Sequence, residues 1–193
     1  MNSICVFCGS SVGNDPAYAE AARLLGRTLA KRGITLVYGG GHVGLMGVVA
    51  DAALGAGGEV IGVMPKSLVD REIGHNGLTK LHIVHSMHER KALMSKLSRG
   101  FIALPGGNGT LEKFFEVLTW AQLGEHDKPC GLLNVAGYYD PLLTVFDQMV
   151  DQGFLKREHR KLVLVEEDPS ALLGRFEGYE PPKTVKWIDR SQT

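Results

Sequence analysis

Ile34-Thr35-Leu36-Val37-Tyr38-Gly39-Gly40-Gly41-His42-Val43-Gly44-Leu45-Met46-Gly47 is the stretch that decides the fold. Its first five residues form a run apolar on both alternating faces, the pattern of a parallel strand covered by helices on each side. The glycines stop that strand and open onto a helical pattern. The same juxtaposition recurs at Ser3–Cys8, which runs into Gly9-Ser10-Ser11, and at Gly100–Leu104, which runs into Pro105-Gly106-Gly107-Asn108-Gly109-Thr110. Further strands read as Glu59–Val63, Leu81–His85, Cys130–Val135 and Lys161–Val165. Strands alternating with helices along the chain predict βαβ units, and hence an α/β fold built on a doubly wound parallel sheet.

The helices are marked by their ends. Asp15-Pro16 supplies an N-cap followed by proline at the first helical position, and Gly33 closes that helix after Lys31-Arg32. Ser86 and Glu89 make a capping box for a helix reaching about Arg99, and Thr110 reads as the N-cap of the helix after the third glycine turn. Asp140-Pro141 starts a helix that stops at Gly153, and Asp168-Pro169 starts a short last one. Without repeats, low-complexity segments or linkers, the chain reads as one domain over 1–179 with a proline-bearing tail over 180–193.

Lys+Arg and Asp+Glu both number 21 in 193 residues, so the net charge is zero. That balance argues against nucleic-acid or anionic-membrane partners engaged through a broadly basic surface. No apolar stretch approaches the roughly 18 residues of a membrane span, and the N-terminus lacks the basic and apolar regions of a signal peptide. Together with an odd count of three cysteines, this predicts a cytoplasmic protein. Cys5 and Cys8 lie three apart in a strand, facing opposite ways, so they read as two separately buried thiols and not as a redox pair.

Glycine is the compositional surplus: 25 of 193 residues, about 13%, against a typical usage of roughly 7%. Many of these glycines fall at strand-to-helix junctions, which in a parallel sheet lie at the carboxyl ends of the strands, where such folds bind ligands. Glycine lets a backbone approach closely, and the following helix offers unpaired N–H groups and a positive dipole end. The inference is a phosphate-bearing ligand held by Gly9, Ser10, Gly40, Gly41 and the segment Pro105, Gly106, Gly107, Asn108, Gly109, Thr110. Gly39, Gly41 and Gly44 formally match a dinucleotide fingerprint. However, the acidic residue expected about 20 residues on is missing where the sequence reads Val63-Met64-Pro65-Lys66, and there is no Walker motif.

Charged residues sharpen the picture. Arg90 and Lys91 occupy the early turns of the helix capped by Ser86, against the dipole, and share a face with Met87 and Met94. Their position at the glycine-rich end of the sheet points to phosphate or base contact. Glu112 and Glu116 are four apart, neighbours on one helix face, with Thr119 following. Two carboxylates beside a phosphate site can polarise a water or steady a developing cation, or they can be solvated surface charges. His82, His85 and His88 point in different directions, so no metal site is predicted.

Cys8-Gly9-Ser10-Ser11, Tyr38-Gly39-Gly40-Gly41 with Gly44-Leu45-Met46-Gly47, Met87-His88-Glu89-Arg90-Lys91, Pro105-Gly106-Gly107-Asn108-Gly109-Thr110 and Thr119-Trp120-Ala121-Gln122-Leu123-Gly124 together resemble the LOG (Lonely Guy) family of cytokinin riboside 5'-monophosphate phosphoribohydrolases. The resemblance extends to about Asp168. It implies a Rossmann-like nucleotide-binding hydrolase domain that forms a homodimer and uses no cofactor. The implied reaction hydrolyses the N-glycosidic bond of adenosine 5'-monophosphate, often N6-prenylated, to free base and ribose 5-phosphate. It assigns nucleotide contacts to Glu72, Met87, Arg90, Lys91, the Gly106-to-Glu112 loop and Thr119, with Arg90 catalytic.

The family signature Pro-Gly-Gly-x-Gly-Thr-x-x-Glu ends here on Lys113 in place of the glutamate usually taken as catalytic. Glycosidic cleavage builds positive charge on the ribose, which a carboxylate stabilises and a lysine repels. Glu112 and Glu116 are the nearest substitutes in sequence. Two readings follow: a nucleoside-monophosphate phosphoribohydrolase weakened by Lys113, or a nucleotide-binding protein that has lost hydrolysis. A third label attached to the family, lysine decarboxylase, requires a pyridoxal-phosphate Schiff-base lysine, and no lysine in the sequence has surroundings that support one.

Overall fold

A computed structural model of the chain describes residues 1–69 and 74–182. The elements run β1 (Ser3–Phe7), α1 (Pro16–Lys31), β2 (Thr35–Tyr38), α2 (Gly44–Gly55), β3 (Val60–Pro65), α3 (Lys66–Val69), β4 (Lys80–Val84), α4 (Met87–Leu97) and β5 (Phe101–Ala103). They continue α5 (Asn108–Leu123), β6 (Cys130–Leu133), α6 (Asp140–Asp151), α7 (Arg157–Arg160), β7 (Val163–Glu166) and α8 (Pro169–Glu177). The seven strands form one sheet, ordered β4-β3-β2-β1-β5-β6-β7, with every pairing parallel.

The period of two along the strands builds a core on each face. Ile4, Val6, Leu36, Tyr38, Ile102 and Leu104 point to one face, where Leu25 and Leu29 of α1, Val49 of α2 and Leu172 of α8 cover them. Cys5, Phe7, Val37, Phe101 and Ala103 point to the other, beneath Met94 of α4, Phe114 and Leu118 of α5 and Phe146 of α6. The sheet is therefore doubly wound. Cys5 and Cys8 contribute to opposite faces, and all three cysteines are free thiols. Burial pushes the Cys8 and Cys130 thiols up to about 12 and Cys5 further still, which makes them inert packing groups.

The capping chemistry is largely as the sequence reads. Asp15 accepts from Ala17 N at 2.8 Å, Ser86 from Glu89 N at 3.1 Å and Asp168 from Ala171 N at 2.9 Å. Asp140 starts α6, as the sequence reads, and its carboxylate accepts from Asn134 Nδ2 at 2.7 Å. One cap differs. Thr110 is not the N-cap of α5: the helix begins at Asn108 behind an uncapped Gly107, so Lys113 lies in its second turn. Among strand ends, β3 runs on to Pro65 because β4 continues past the end of β2, and Pro65 pairs only with Val84 there. β6 stops at Leu133, since Asn134 turns the chain into a 3-10 turn at Val135–Gly137.

Chain direction across the sheet reverses between β1 and β5, and a crevice opens at that switch point. Gly9 N donates to Pro105 O across it at 3.1 Å, and Leu45 N at the start of α2 donates to Gly9 O at 3.0 Å. All three glycine turns meet here.

Candidate active site

The glycines at the switch point do different jobs, and the space around each one separates them. A methyl group at Gly44 would come within 2.5 Å of the Ser10 backbone, and one at Gly47 would reach 2.1 Å from His42 O. One at Gly106 would lie 2.2 Å from Thr110 Oγ1. These glycines let the three turns pack on one another. Gly107 and Gly109 are different. Nothing lies within 4 Å of a methyl at Gly107, and only Lys113 Nζ, at 3.7 Å, approaches one at Gly109. Neither residue has a positive φ. No packing or conformational reason within the described residues accounts for glycine at these two positions, which stand at the mouth of a 16-residue helix.

That mouth has open donors. Gly107 carries no side-chain cap, and the first helical amides, Asn108 and Gly109, lie ahead of any intrahelical acceptor. With the positive end of the helix dipole behind them, they form an anion site. The site opens into a cavity of about 340 Å³ lined by Gly9, Ser10, Arg90, Gly107, Asn108, Gly109, Thr110 and Lys113, all singled out in the sequence. Gly39, Cys8, Met46 and Met94 line it too. Of these, Met94 is marked in the sequence by its place one turn beyond Arg90, and Cys8, Gly39 and Met46 by lying within the quoted glycine-turn motifs.

Arg90 is almost fully buried, at 5% exposure. Its Nε donates to Val63 O at 2.9 Å and its Nη2 to Gly39 O at 2.7 Å, so the guanidinium joins the carboxyl ends of β2 and β3. The arginine thus shapes the crevice as well as charging it. Lys113 Nζ donates to Gly109 O at 2.9 Å, above the helix mouth. The described lining of the cavity holds these two cations and no carboxylate.

Glu112 and Glu116 are not lining residues, although Glu112 Oε2 lies 3.9 Å from Lys113 Nζ. Lys91 Nζ sits between them, 2.7 Å from Glu112 Oε1 and 2.8 Å from Glu116 Oε1, tying α4 to α5. Hydrogen bonds that Lys91 donates to Glu112 and then Glu116 hold its ammonium above the usual lysine range. A Schiff-base lysine needs the opposite, a destabilised ammonium. Lys128, whose ammonium burial does destabilise, precedes β6 at the far end of the sheet from the glycine turns. Neither Lys91 nor Lys128 therefore fits the Schiff-base role.

Other sequence candidates support the cavity from behind or stand apart from it. Pro105 and Gly106 line a neighbouring cavity of about 320 Å³. Gly40 and Gly41 are buried; Gly40 O accepts from His75 N at 3.1 Å, and Gly41 forms a β-bridge with Gly74. Met87 and Thr119 are exposed, and Glu72 lies outside the described residues. The structure adds one cluster with no signal in sequence spacing: His42, Asp51 and His75 bring three possible ligand atoms within 4.8 Å of one another. His75 Nδ1 accepts from Gly77 N at 3.1 Å, so Nε2 carries the proton and donates to Asp51 at 2.8 Å. That tautomer presents no Nε2 lone pair to a metal, and the pair serves to fasten Gly74–Gly77 against the second glycine turn.

Comparison with known proteins agrees with this geometry. The family described as "Possible lysine decarboxylase" matches residues 46–176. The cytokinin riboside 5'-monophosphate phosphoribohydrolase LOG7 of Arabidopsis thaliana is 52% identical over 178 residues, 92% of this chain and 82% of its own length. The phosphoribohydrolase LOG of rice, Oryza sativa subsp. japonica, is 49% identical over 189 residues, 97% of this chain and 78% of its own. The molybdenum cofactor carrier protein of Chlamydomonas reinhardtii superposes with a TM-score of 0.70 over 92% of this chain and 99% of its own, at 22% identity, a likeness of fold alone. With half its residues shared along nearly its whole length, and with the glycine turns meeting at one switch point, the chain belongs to the LOG family.

Proposed function

We propose that the protein hydrolyses the N-glycosidic bond of adenosine 5'-monophosphate, or of N6-substituted, cytokinin-type nucleoside 5'-monophosphates, releasing free base and ribose 5-phosphate. The observation that carries this reading is the pair Gly107 and Gly109, glycines with open space in front of unclaimed helix amides. A phosphate there receives charge-assisted hydrogen bonds from backbone N–H groups and the dipole. The rest of the nucleotide then extends along the cavity toward Arg90, whose fixed charge orients the phosphoribosyl group and the departing base.

Water attack at C1′ of the ribose needs a carboxylate, and Lys113 stands where the family signature has one. Glu116 and Glu112, held by Lys91, are the carboxylates within one helical turn. The absence of any acid from the described cavity lining favours a second reading, a nucleotide-binding protein with weak or lost hydrolysis. One assay separates the two. Native protein and a Lys113→Glu variant are incubated with AMP and N6-isopentenyl-AMP, and free base is measured. Restoring the stabilising charge is expected to raise base release on the order of 10²–10³-fold. Equal release from both proteins sinks the binding-only reading, and release seen only in the variant sinks hydrolysis by the native chain.

The same reading makes the protein a cytoplasmic homodimer in which residues 1–179 act as one nucleotide-binding unit. Three free thiols support the compartment, and no described helix is long and apolar enough to cross a membrane. Leu81 and Ile83, 37% and 50% exposed on one face of the edge strand β4, supply apolar surface for a partner subunit. The segment 180–193, read as a tail, lies outside the described residues from 183 onward.

A further inference from the structure

The turn that forms the anion site is held from behind by three carbonyl contacts. Tyr139 Oη donates to Leu104 O at 2.6 Å, Gly9 N donates to Pro105 O at 3.1 Å, and Tyr138 Oη donates to Gly106 O at 2.7 Å. Three consecutive carbonyls are thus each claimed by a donor outside the turn. In a trans peptide the C=O and the next N–H point in opposite directions, and no described peptide bond is cis. Anchoring the Pro105 and Gly106 carbonyls therefore aims the N–H groups of Gly106 and Gly107 the other way. Among the described residues no acceptor takes the Gly107 amide, and Gly107 lines the 340 Å³ cavity.

The two adjacent tyrosines, whose hydroxyls reach carbonyls two residues apart in the turn, follow an unusual stretch of backbone. Ala136 has φ 50°, the one non-glycine among the described residues in the left-handed region, and Gly137 follows at φ 70°. Such a conformation costs on the order of 1–2 kcal/mol and persists where the surroundings impose it. Asn134, itself 6% exposed, does so: its Oδ1 accepts from Tyr139 N at 2.7 Å, and its Nδ2 donates to Asp140 Oδ1 at 2.7 Å. Burial keeps the Tyr139 phenol well above the usual range, so it remains a donor.

We propose that Tyr138 is a positioning residue of the anion site, which fixes the Gly106 carbonyl so that the Gly107 amide faces the phosphate of the nucleotide; the Leu104 carbonyl held by Tyr139 precedes Pro105, which has no N–H to aim. This rests on the phosphate reading given above. Tyr138 acts through the Gly106–Gly107 peptide plane and not by touching the substrate.

Tyr138→Phe is the clean probe, because the ring contacts with Tyr18 and Tyr139, at 5.6 and 5.1 Å between centroids, need no hydroxyl. Binding is measured calorimetrically with ribose 5-phosphate and separately with adenosine, beside a thermal melt. Loss of one carbonyl anchor is expected to weaken ribose 5-phosphate about 5- to 20-fold, with adenosine affinity and melting temperature unchanged. Unchanged ribose 5-phosphate binding overturns the proposal, as does equal weakening of both ligands, which marks a general structural defect. A Gly109→Ala variant tells the two levels apart. If it weakens ribose 5-phosphate while Tyr138→Phe does not, the positioning role alone fails. If neither variant affects it, the phosphate reading fails and the proposal with it.

Discussion

Gly109→Ala should make the protein more stable and a worse binder, two effects of opposite sign from one methyl group. Gly109 sits at the second position of α5 with an ordinary helical backbone, and the added Cβ meets only Lys113 Nζ at 3.7 Å, an ordinary contact. Alanine is favoured over glycine in a helix by about 1 kcal/mol. A gain of about 0.5–1 kcal/mol in a chain of this size raises the melting temperature by roughly 1–4 °C. The same Cβ tilts toward the N-terminus of the helix, into the space a phosphate would occupy. Displacing the anion from one charge-assisted amide bond costs about 1.5–3 kcal/mol, roughly 10- to 100-fold in affinity for ribose 5-phosphate. Gly106→Ala is the control. Its Cβ would lie 2.2 Å from Thr110 Oγ1 and 2.8 Å from Gly9 N, an overpacking that costs about 1–3 kcal/mol. Differential scanning calorimetry and titration calorimetry read both quantities. A Gly109→Ala protein that is stabilised yet binds ribose 5-phosphate like the native chain would refute an anion site at the head of α5.

Tyr38 is fully buried, and its hydroxyl has no hydrogen-bond partner among the described residues. Tyr38→Phe removes that stranded group and is expected to stabilise by about 1 kcal/mol, raising the melting temperature by roughly 2–4 °C; a fall would reveal a partner for the hydroxyl. Lys91→Met is expected to cost about 1 kcal/mol, since Glu112 is half exposed and water screens the pair. Because the folded-state pKa of Lys91 is raised, its contribution is complete below the unfolded value near 10.4 and is lost as pH climbs through the folded one. The native protein should therefore lose its advantage over Lys91→Met in melts run at increasingly alkaline pH, and an advantage that persists there would contradict the ion cluster.

The strands were legible because a parallel sheet covered on both faces needs uninterrupted apolar runs, and Ile34–Tyr38 or Gly100–Leu104 satisfies that need within five residues of sequence. Caps such as Asp15 and Ser86 were legible for the same reason, since the side chain bonds an amide two or three residues on. Thr110 misled because the glycine ahead of it could enter the helix without a capping side chain, a choice settled by packing of Gly106 against Thr110 and Gly9.

Local spacing by itself determined the α/β fold, the placing of glycine at the carboxyl ends of strands, and the presence of Arg90, Lys113 and the two glutamates in that neighbourhood. Only the tertiary structure decided which of them face the cavity. Gly106 and Gly107 are adjacent in the chain and indistinguishable in composition, yet one is pressed against Thr110 and the other looks into open space. Lys91 and Glu112 are 21 residues apart, and Tyr138 reaches a carbonyl 32 residues away. Such contacts depend on how two helices pack across a shared sheet, a property of the whole fold that no window of neighbouring residues contains.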